Sequence, residues 1–152
     1  MECKVKWTGE GMSFLAETGS NHVVVMDGAL EAGGRNIAPR PMELLLAGTG
    51  GCSAYDVVLI LRKGRQAVSG CEVYLQAQRA DSDPRVFTRI HMHFRVSGKQ
   101  LKKELVARAI KLSKEKYCSA SIMLGKTAEI TYDFEIIEAE GPLTRHPADT
   151  AQ

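Results

Sequence analysis

The 152-residue sequence lacks several features that would assign it at once to a class of protein. No two of its four cysteines are spaced as CxxC, so neither a zinc ribbon nor a thioredoxin-type motif is expected. Four cysteines are also few for a disulfide scaffold of this length. The first residues form no apolar signal segment, and no uninterrupted apolar run approaches the ~18 residues of a membrane helix. We therefore expect a cytoplasmic protein with reduced thiols and no membrane partner.

The sequence also lacks a surplus of charge of one sign. Its 20 basic and 18 acidic residues give a net charge of +2, whereas a nucleic-acid binder would show a clustered basic surplus. Fourteen glycines and five prolines are too few for a low-complexity chain. The length suits one domain with a real core. We predict a single domain over residues 1–139 and a disordered polar tail over 140–152.

Hydrophobic patterning predicts a mixed α+β chain. Alternating residues predict three short strands, a long helix follows, and two further strands form a hairpin that turns at residues 81–84. An amphipathic helix and a short further helix come next, followed by a final strand. The predicted elements span residues 4–8, 12–16, 22–26, 41–63, 68–80, 85–96, 99–116, 117–124 and 128–137. The order is β(3)-α-β(2)-α(2)-β.

The long predicted helix over 41–63 is apolar almost all the way round. This pattern is typical of a helix that is buried on every side, at the centre of a fold or between subunits. Three glycines, Gly48, Gly50 and Gly51, interrupt it at a cost of about 1 kcal/mol each relative to alanine. We expect close approach of another helix there, or of the same helix from a second subunit. Two helices with a break at Gly50-Gly51 are the alternative, and we favour one helix.

Two of the four cysteines lie on predicted helices. Cys52 is midway along the long helix, and Cys118 begins the last helix, where partial positive charge can lower the pKa of a thiol. Such a pair can cycle between dithiol and disulfide, although a cysteine in a reduced core is often only a small hydrophobic residue. Asp56, one turn after Cys52, would raise the pKa of a thiol beside it, or could orient an arginine.

Other candidate residues carry less signal. Cys3 and Cys71 are expected to be incidental and structural, respectively. His91 and His93 share one face of a strand, and we interpret them as a solvent-facing pair. A metal site would need a third ligand, which the sequence does not suggest, so we expect no metal and no cofactor.

Two motifs in this order resemble the OsmC/Ohr family, specifically its branch of small OsmC-like proteins. The first motif spans 41–47 and continues into Gly50-Gly51-Cys52-Ser53-Ala54, and the second is Lys116-Tyr117-Cys118-Ser119. The resemblance covers residues 3–138. It implies an intertwined homodimer with central long helices and the reduction of organic hydroperoxides through two cysteines. By resemblance, Cys52 is the peroxidatic residue and Cys118 the resolving residue.

The sequence departs from that family pattern at two supporting positions. Characterised peroxidases of the family carry a glutamate directly after the helix-starting proline, where this chain has Met42 and places Glu43 one step later. Glu43 lies about 180° around the helix from Cys52, so it could serve only a partner subunit's site. The family's thiolate-stabilising arginine is absent from residues 1–34, which leaves Arg35 and Arg40 as candidates.

The leading hypothesis is a thiol-dependent hydroperoxide reductase with a role in the oxidative stress response. Its expected partners are a second copy of the chain, a hydrophobic peroxide and an unidentified dithiol reductant. The alternatives are a non-enzymatic binder of a small hydrophobic ligand at the dimer interface and a structural dimer with inert thiols. Loss of turnover in Cys52→Ser separates the first hypothesis from the other two.

Overall fold

The computed structural model describes residues 1–139 and has the predicted element order. The predicted tail over 140–152 lies outside the described residues. The strands are β1 (Cys3–Trp7), β2 (Phe14–Thr18), β3 (Val23–Met26), β4 (Ala67–Arg79), β5 (Phe87–Lys99) and β6 (Glu129–Glu138). The helices are α1 (Pro41–Lys63), α2 (Lys103–Leu112) and α3 (Ser119–Leu124). The α+β prediction is confirmed.

The chain divides into two compact units, Met1–Ala47 and Gly48–Gln152, so a single domain over 1–139 stays a prediction. The first unit holds an antiparallel sheet in the order β1-β2-β3. Its connection to α1 contains one 3₁₀ turn, Leu30–Ala32. The buried Asp27 carboxylate organises this connection, because it accepts hydrogen bonds from the Arg35 N–H at 2.9 Å and the Ile37 N–H at 3.2 Å.

The second unit holds a sheet in the order β4-β5-β6. β4 and β5 form the predicted antiparallel hairpin, and β6 returns parallel to β5. Parallel pairing needs a crossover, which α2 and α3 supply. One face of β5 is buried at alternate positions, as a half-buried strand requires. These buried positions are Ile90, Met92, Phe94, Val96 and Gly98, and Phe87 at the start of the strand is buried outside this alternation.

Two predicted elements in this unit have wrong boundaries. β5 continues through Ser97 and Gly98 to Lys99, because both residues keep their pairing with β4. The helix predicted over 99–116 begins only at Lys103 and ends at Leu112, where a π-helical turn, Ser113–Tyr117, follows. This wider turn leads directly into Cys118, whose N–H donates to the Ser113 carbonyl at 2.8 Å.

The long helix α1 is continuous, as favoured from the sequence, but its burial is one-sided within the chain. The buried positions of α1 follow the three-to-four-residue spacing of one helix face. They are Thr49, Gly50, Ser53, Val57 and Leu61. On the other side Tyr55 is 69% exposed and Leu59 is 36% exposed. Burial on every side is therefore not achieved by this chain alone.

The helix α1 is long and apolar enough to meet a membrane-span criterion, although the sequence has no uninterrupted apolar run of that length. The helix is 23 residues long, and an 18-residue window within it has a mean hydropathy of 1.7. These values are enough to cross a membrane by length and composition. The core helix of a globular protein meets the same test. Within the described residues 28% of the tested window of α1 is buried, along one stripe of the helix.

The three glycines of α1 have different surroundings. A Cβ atom at Gly50 would lie 2.6 Å from Leu75 Cδ1, so β4 approaches the helix closely at that residue. A Cβ atom at Gly48 or Gly51 would meet nothing within 4 Å in the described chain. The predicted close approach is therefore found at Gly50. The neighbour there is a side chain of a strand, Leu75 of β4, and not a second helix.

Candidate functional site

Two cysteines and one aspartate of the second unit come together in a thiol cluster, formed by Cys52, Asp56 and Cys118. One ligand atom of each residue lies within 4.8 Å of the other two. Cys52 and Asp56 are one turn apart on α1, so the helix itself places both on one side. Cys118 comes from a distant part of the sequence, at the start of α3.

Cys118 is the N-cap residue of α3 and is fully buried. Its sulfur accepts hydrogen bonds from the Ser121 N–H at 3.4 Å and the Ser121 hydroxyl at 3.1 Å. The buried Ser53 hydroxyl donates to the same sulfur at 3.2 Å. A sulfur that receives several donors is stabilised as the anion.

The two thiols of the cluster differ in acidity. Burial raises the pKa of Cys52, and its hydrogen bond to Cys118 and the nearby Asp56 carboxylate raise this pKa further. Burial also opposes ionisation of Cys118, but the hydrogen bonds from Ser121, Ser53 and Cys52 outweigh it and lower the pKa of Cys118. The negative charge of the pair is therefore favoured on Cys118, and the proton on Cys52.

Asp56 is held in place by the hydroxyl of Ser113, which donates to its carboxylate at 3.0 Å. Within residues 1–139 no ion pair joins Asp56 to an arginine, so the predicted arginine-orienting role finds no support there. The predicted effect on a neighbouring thiol is found, because the Asp56 carboxylate raises the pKa of Cys52. Ser113 was not singled out from the sequence, since its role depends on the π-helical turn.

The other candidate supporting residues lie in the first unit and have local partners. Arg35 forms an ion pair with Glu10 at 3.0 Å, and its N–H donates to Asp27. The Glu43 carboxylate accepts the Arg40 N–H at 2.8 Å, which caps the first turn of α1. These contacts give Arg35 and Glu43 structural roles, and a role at the thiols stays a prediction for Arg35, Arg40 and Glu43.

Sequence reasoning missed Ser121 at the Cys118 sulfur. For Ser53 and Thr49 the sequence allows hydrogen bonds near Cys52, but it favours a packing role, and Ser53 in fact donates to Cys118. The available signal was the spacing of Cys118 and Ser121, since a residue three positions after an N-cap is within its hydrogen-bonding reach. The Ser121 and Ser53 hydroxyls also lie 3.2 Å apart, so either can donate to the other in place of its hydrogen bond to the sulfur.

The histidine pair has a carboxylate neighbour that the sequence did not suggest. The parallel β5–β6 register places Asp133 directly beside His93, and it reaches His91 as well. The hydrogen bond that His93 donates to Asp133 raises the pKa of His93 above its ordinary value. Both histidine side chains remain about one-third exposed, in keeping with the solvent-facing interpretation.

Comparison with known proteins places this geometry in one family. The family model described as OsmC-like protein matches residues 33–133, a range that includes both cysteines of the cluster. Protein YhfA of Escherichia coli strain K12 is 50% identical over 139 residues, which cover 91% of this chain and 100% of that protein.

Solved structures share the fold. A hypothetical protein from Aquifex aeolicus VF5 aligns with a TM-score of 0.79 and 28% identity over 91% of this chain and 97% of that one. An organic hydroperoxide resistance protein OsmC from Legionella pneumophila aligns with a TM-score of 0.64 and 13% identity. That alignment covers 88% of this chain and 96% of the Legionella chain, and at this identity it shows the fold alone.

Proposed function

This chain belongs to the OsmC-like protein family, and on that premise we propose that it is a thiol-dependent reductase of organic hydroperoxides. Cys52 and Cys118 are the redox pair. The Legionella relative of the same fold is described as an organic hydroperoxide resistance protein, which favours this reaction class. The reaction takes place in the reducing cytoplasm, where a dithiol reductant can restore both thiols.

The observation that carries the proposal is the proximity of the two sulfurs. They lie within 4.8 Å of each other although 65 residues separate them in the chain, and the Cys52 thiol hydrogen-bonds the Cys118 sulfur. A sulfenic acid formed on one sulfur can condense with a thiol at this separation. Side-chain rotation then closes the sulfurs to a bond of about 2.05 Å.

Exposure favours one assignment of the two roles. Cys118 is fully buried, whereas Cys52 is partly exposed, so a peroxide would meet Cys52 first. Cys52 therefore attacks and Cys118 resolves. The hydrogen bond between the thiols also directs the Cys52 proton at Cys118, so Cys118 can accept that proton as Cys52 attacks.

The proposed steps balance as follows. The Cys52 sulfur attacks one peroxide oxygen, the O–O bond breaks, and the protonated products are the Cys52 sulfenic acid and an alcohol. The Cys118 sulfur then attacks the Cys52 sulfur, and the hydroxyl leaves as water. Two thiols have lost two electrons to the peroxide, and a dithiol reductant returns them by thiol–disulfide exchange.

The partner that completes the molecule is, in this proposal, a second copy of the chain. The exposed side of α1 carries Tyr55 and Leu59 together with Gly48 and Gly51, which have open space where a side chain would stand. Small residues beside apolar ones allow two helices to pack closely. The same surface would then help to enclose Cys52 and favour a hydrophobic peroxide over hydrogen peroxide.

The test is steady-state reduction of an alkyl hydroperoxide with a dithiol reductant by four proteins: the wild type, Cys52→Ser, Cys118→Ser and Cys71→Ser. We expect turnover by the wild type and by Cys71→Ser, which removes a thiol outside the cluster. Cys52→Ser loses activity. Cys118→Ser still oxidises once, but its sulfenic acid lacks the resolving thiol, so its turnover slows. Unchanged turnover in Cys52→Ser contradicts the proposal, and an inactive wild type favours the ligand-binding alternative.

A further inference from the structure

We propose that the reduced thiol cluster is a binding site for a soft divalent cation, with Zn²⁺ as its best match. Cys52 and Cys118 supply two thiolates and Asp56 one carboxylate oxygen. The site goes beyond the proposed peroxide reaction, because it requires only that both thiols be reduced.

The geometry of the cluster suits tetrahedral zinc. With Zn–S bonds of ~2.3 Å and Zn–O bonds of ~2.1 Å, ligand atoms around one ion lie roughly 3.5–3.8 Å apart. The three ligand atoms here lie within 4.8 Å of one another, so they need to close by only about 1 Å. Rotation of the partly exposed Cys52 side chain, the one ligand that no serine holds in the described structure, supplies such a shift.

The ligand types select the class of ion. Two thiolates and one carboxylate favour zinc over magnesium or calcium, which take oxygen ligands. Three protein ligands leave a fourth position open. Cys52 is partly exposed, so water or a small molecule can take that position.

Neighbouring hydroxyls provide the hydrogen bonds that commonly orient metal ligands. Ser113 fixes the Asp56 carboxylate at 3.0 Å, and Ser53 and Ser121 donate to the Cys118 sulfur at 3.2 and 3.1 Å. All three serines are at most 2% exposed. Such contacts would hold two of the three ligands in place before the ion arrives.

Zinc and the disulfide exclude each other, since a sulfur bonded to sulfur cannot serve as a thiolate ligand. Zinc would therefore keep the pair reduced and slow its oxidation by a hydroperoxide. This gives the cluster a second state, in which the cation and the peroxide compete for the same two thiols.

The direct test is a titration of the fully reduced protein with Zn²⁺ against a chromophoric chelator. We expect one ion per chain, weaker binding by Asp56→Asn, loss of binding by Cys118→Ser, and 10–100-fold weaker binding by Ser113→Ala. Cys71→Ser is the matched control and keeps wild-type affinity. Co²⁺ in place of zinc should show thiolate-to-cobalt charge-transfer absorption, which Cys118→Ser removes.

Two results overturn the proposal. One is a wild-type protein that fails to compete with the chelator while its thiols titrate as free. The other is equal affinity in the wild type and Cys118→Ser, with circular dichroism showing both folded. Neither result bears on peroxide turnover, so failure of this site is distinct from failure of the proposed function.

Discussion

The contact between Gly50 and Leu75 predicts a measurable coupling between α1 and β4. A Cβ atom at position 50 would stand 2.6 Å from Leu75 Cδ1, 3.6 Å from Cδ2 and 3.7 Å from Cγ. The first distance is well inside van der Waals contact, so Gly50→Ala forces the leucine side chain to move. Leu75 Cδ1 is the far end of a flexible, half-buried side chain, so the shift costs about 1 kcal/mol, the low end of the overpacking range, and the gain in helix propensity returns a similar amount.

A double-mutant cycle isolates the contact from the helix propensity. Leu75→Ala destabilises by less than the ~2–5 kcal/mol of a fully buried leucine, because Leu75 is only half-buried. In the double variant the methyl groups that would clash are gone. We therefore expect the double variant to be about 1 kcal/mol more stable than the sum of the single changes predicts.

Urea unfolding followed by circular dichroism, at one protein concentration, gives the four free energies of unfolding. Gly51→Ala with Leu75→Ala is the matched control, since a Cβ atom at Gly51 meets nothing within 4 Å. That pair should be additive within about 0.5 kcal/mol. Equal additivity in the Gly50 cycle would refute the close approach of β4 to α1.

Three further predictions concern residues outside the thiol cluster. Burial opposes ionisation of Asp27, but hydrogen bonds from Arg35, Ile37, Gly28 and Ser13 outweigh it and hold its pKa below the ordinary value. Its contribution to stability is thus complete above about pH 4 and is lost as the pH falls through the lowered pKa; acid unfolding of Asp27→Asn should lack this component. Burial, with a smaller effect from Glu72, raises the pKa of Cys71 to about 11. At pH 8.5 Cys71 should carry on the order of a hundredfold less thiolate than a free cysteine. Its alkylation rate, followed by mass spectrometry, should be lower than that of a free cysteine by a similar factor, and equal rates would refute the raised pKa. Gly51→Leu should convert a dimer of twice 16.6 kDa into a monomer in light scattering, and an unchanged mass would count against α1 as the interface.

The sequence was sufficient for the order of elements because each local pattern agreed with the final fold. Strict alternation marks β5 and β6, and the turn residues at 81–84 mark the hairpin between β4 and β5. The helix boundaries around 99–117 could not be predicted accurately from the sequence. The π-helical turn depends on how Ser113 and Cys118 meet, and the strand end at Lys99 depends on its pairing with β4.

The site was only partly accessible from the sequence for a related reason. Cys52 and Asp56 are one helical turn apart, so their shared side follows from spacing alone. Nothing local indicates that Ser53 and Ser121 meet at the Cys118 sulfur, since those contacts join residues more than 60 positions apart on α1 and α3. The acidity of a thiol depends on such long-range donors, which is why the lower pKa lies on Cys118 and not on Cys52.

The central claim is that Cys52 and Cys118 form one redox pair. The most direct measurement is intact-mass and peptide mapping of the metal-free, reduced protein after one equivalent of an alkyl hydroperoxide, without reductant. The account predicts loss of two thiols and a peptide cross-linked through Cys52 and Cys118, restored by a dithiol. Retention of all four thiols, or oxidation only at the exposed Cys3, would contradict it.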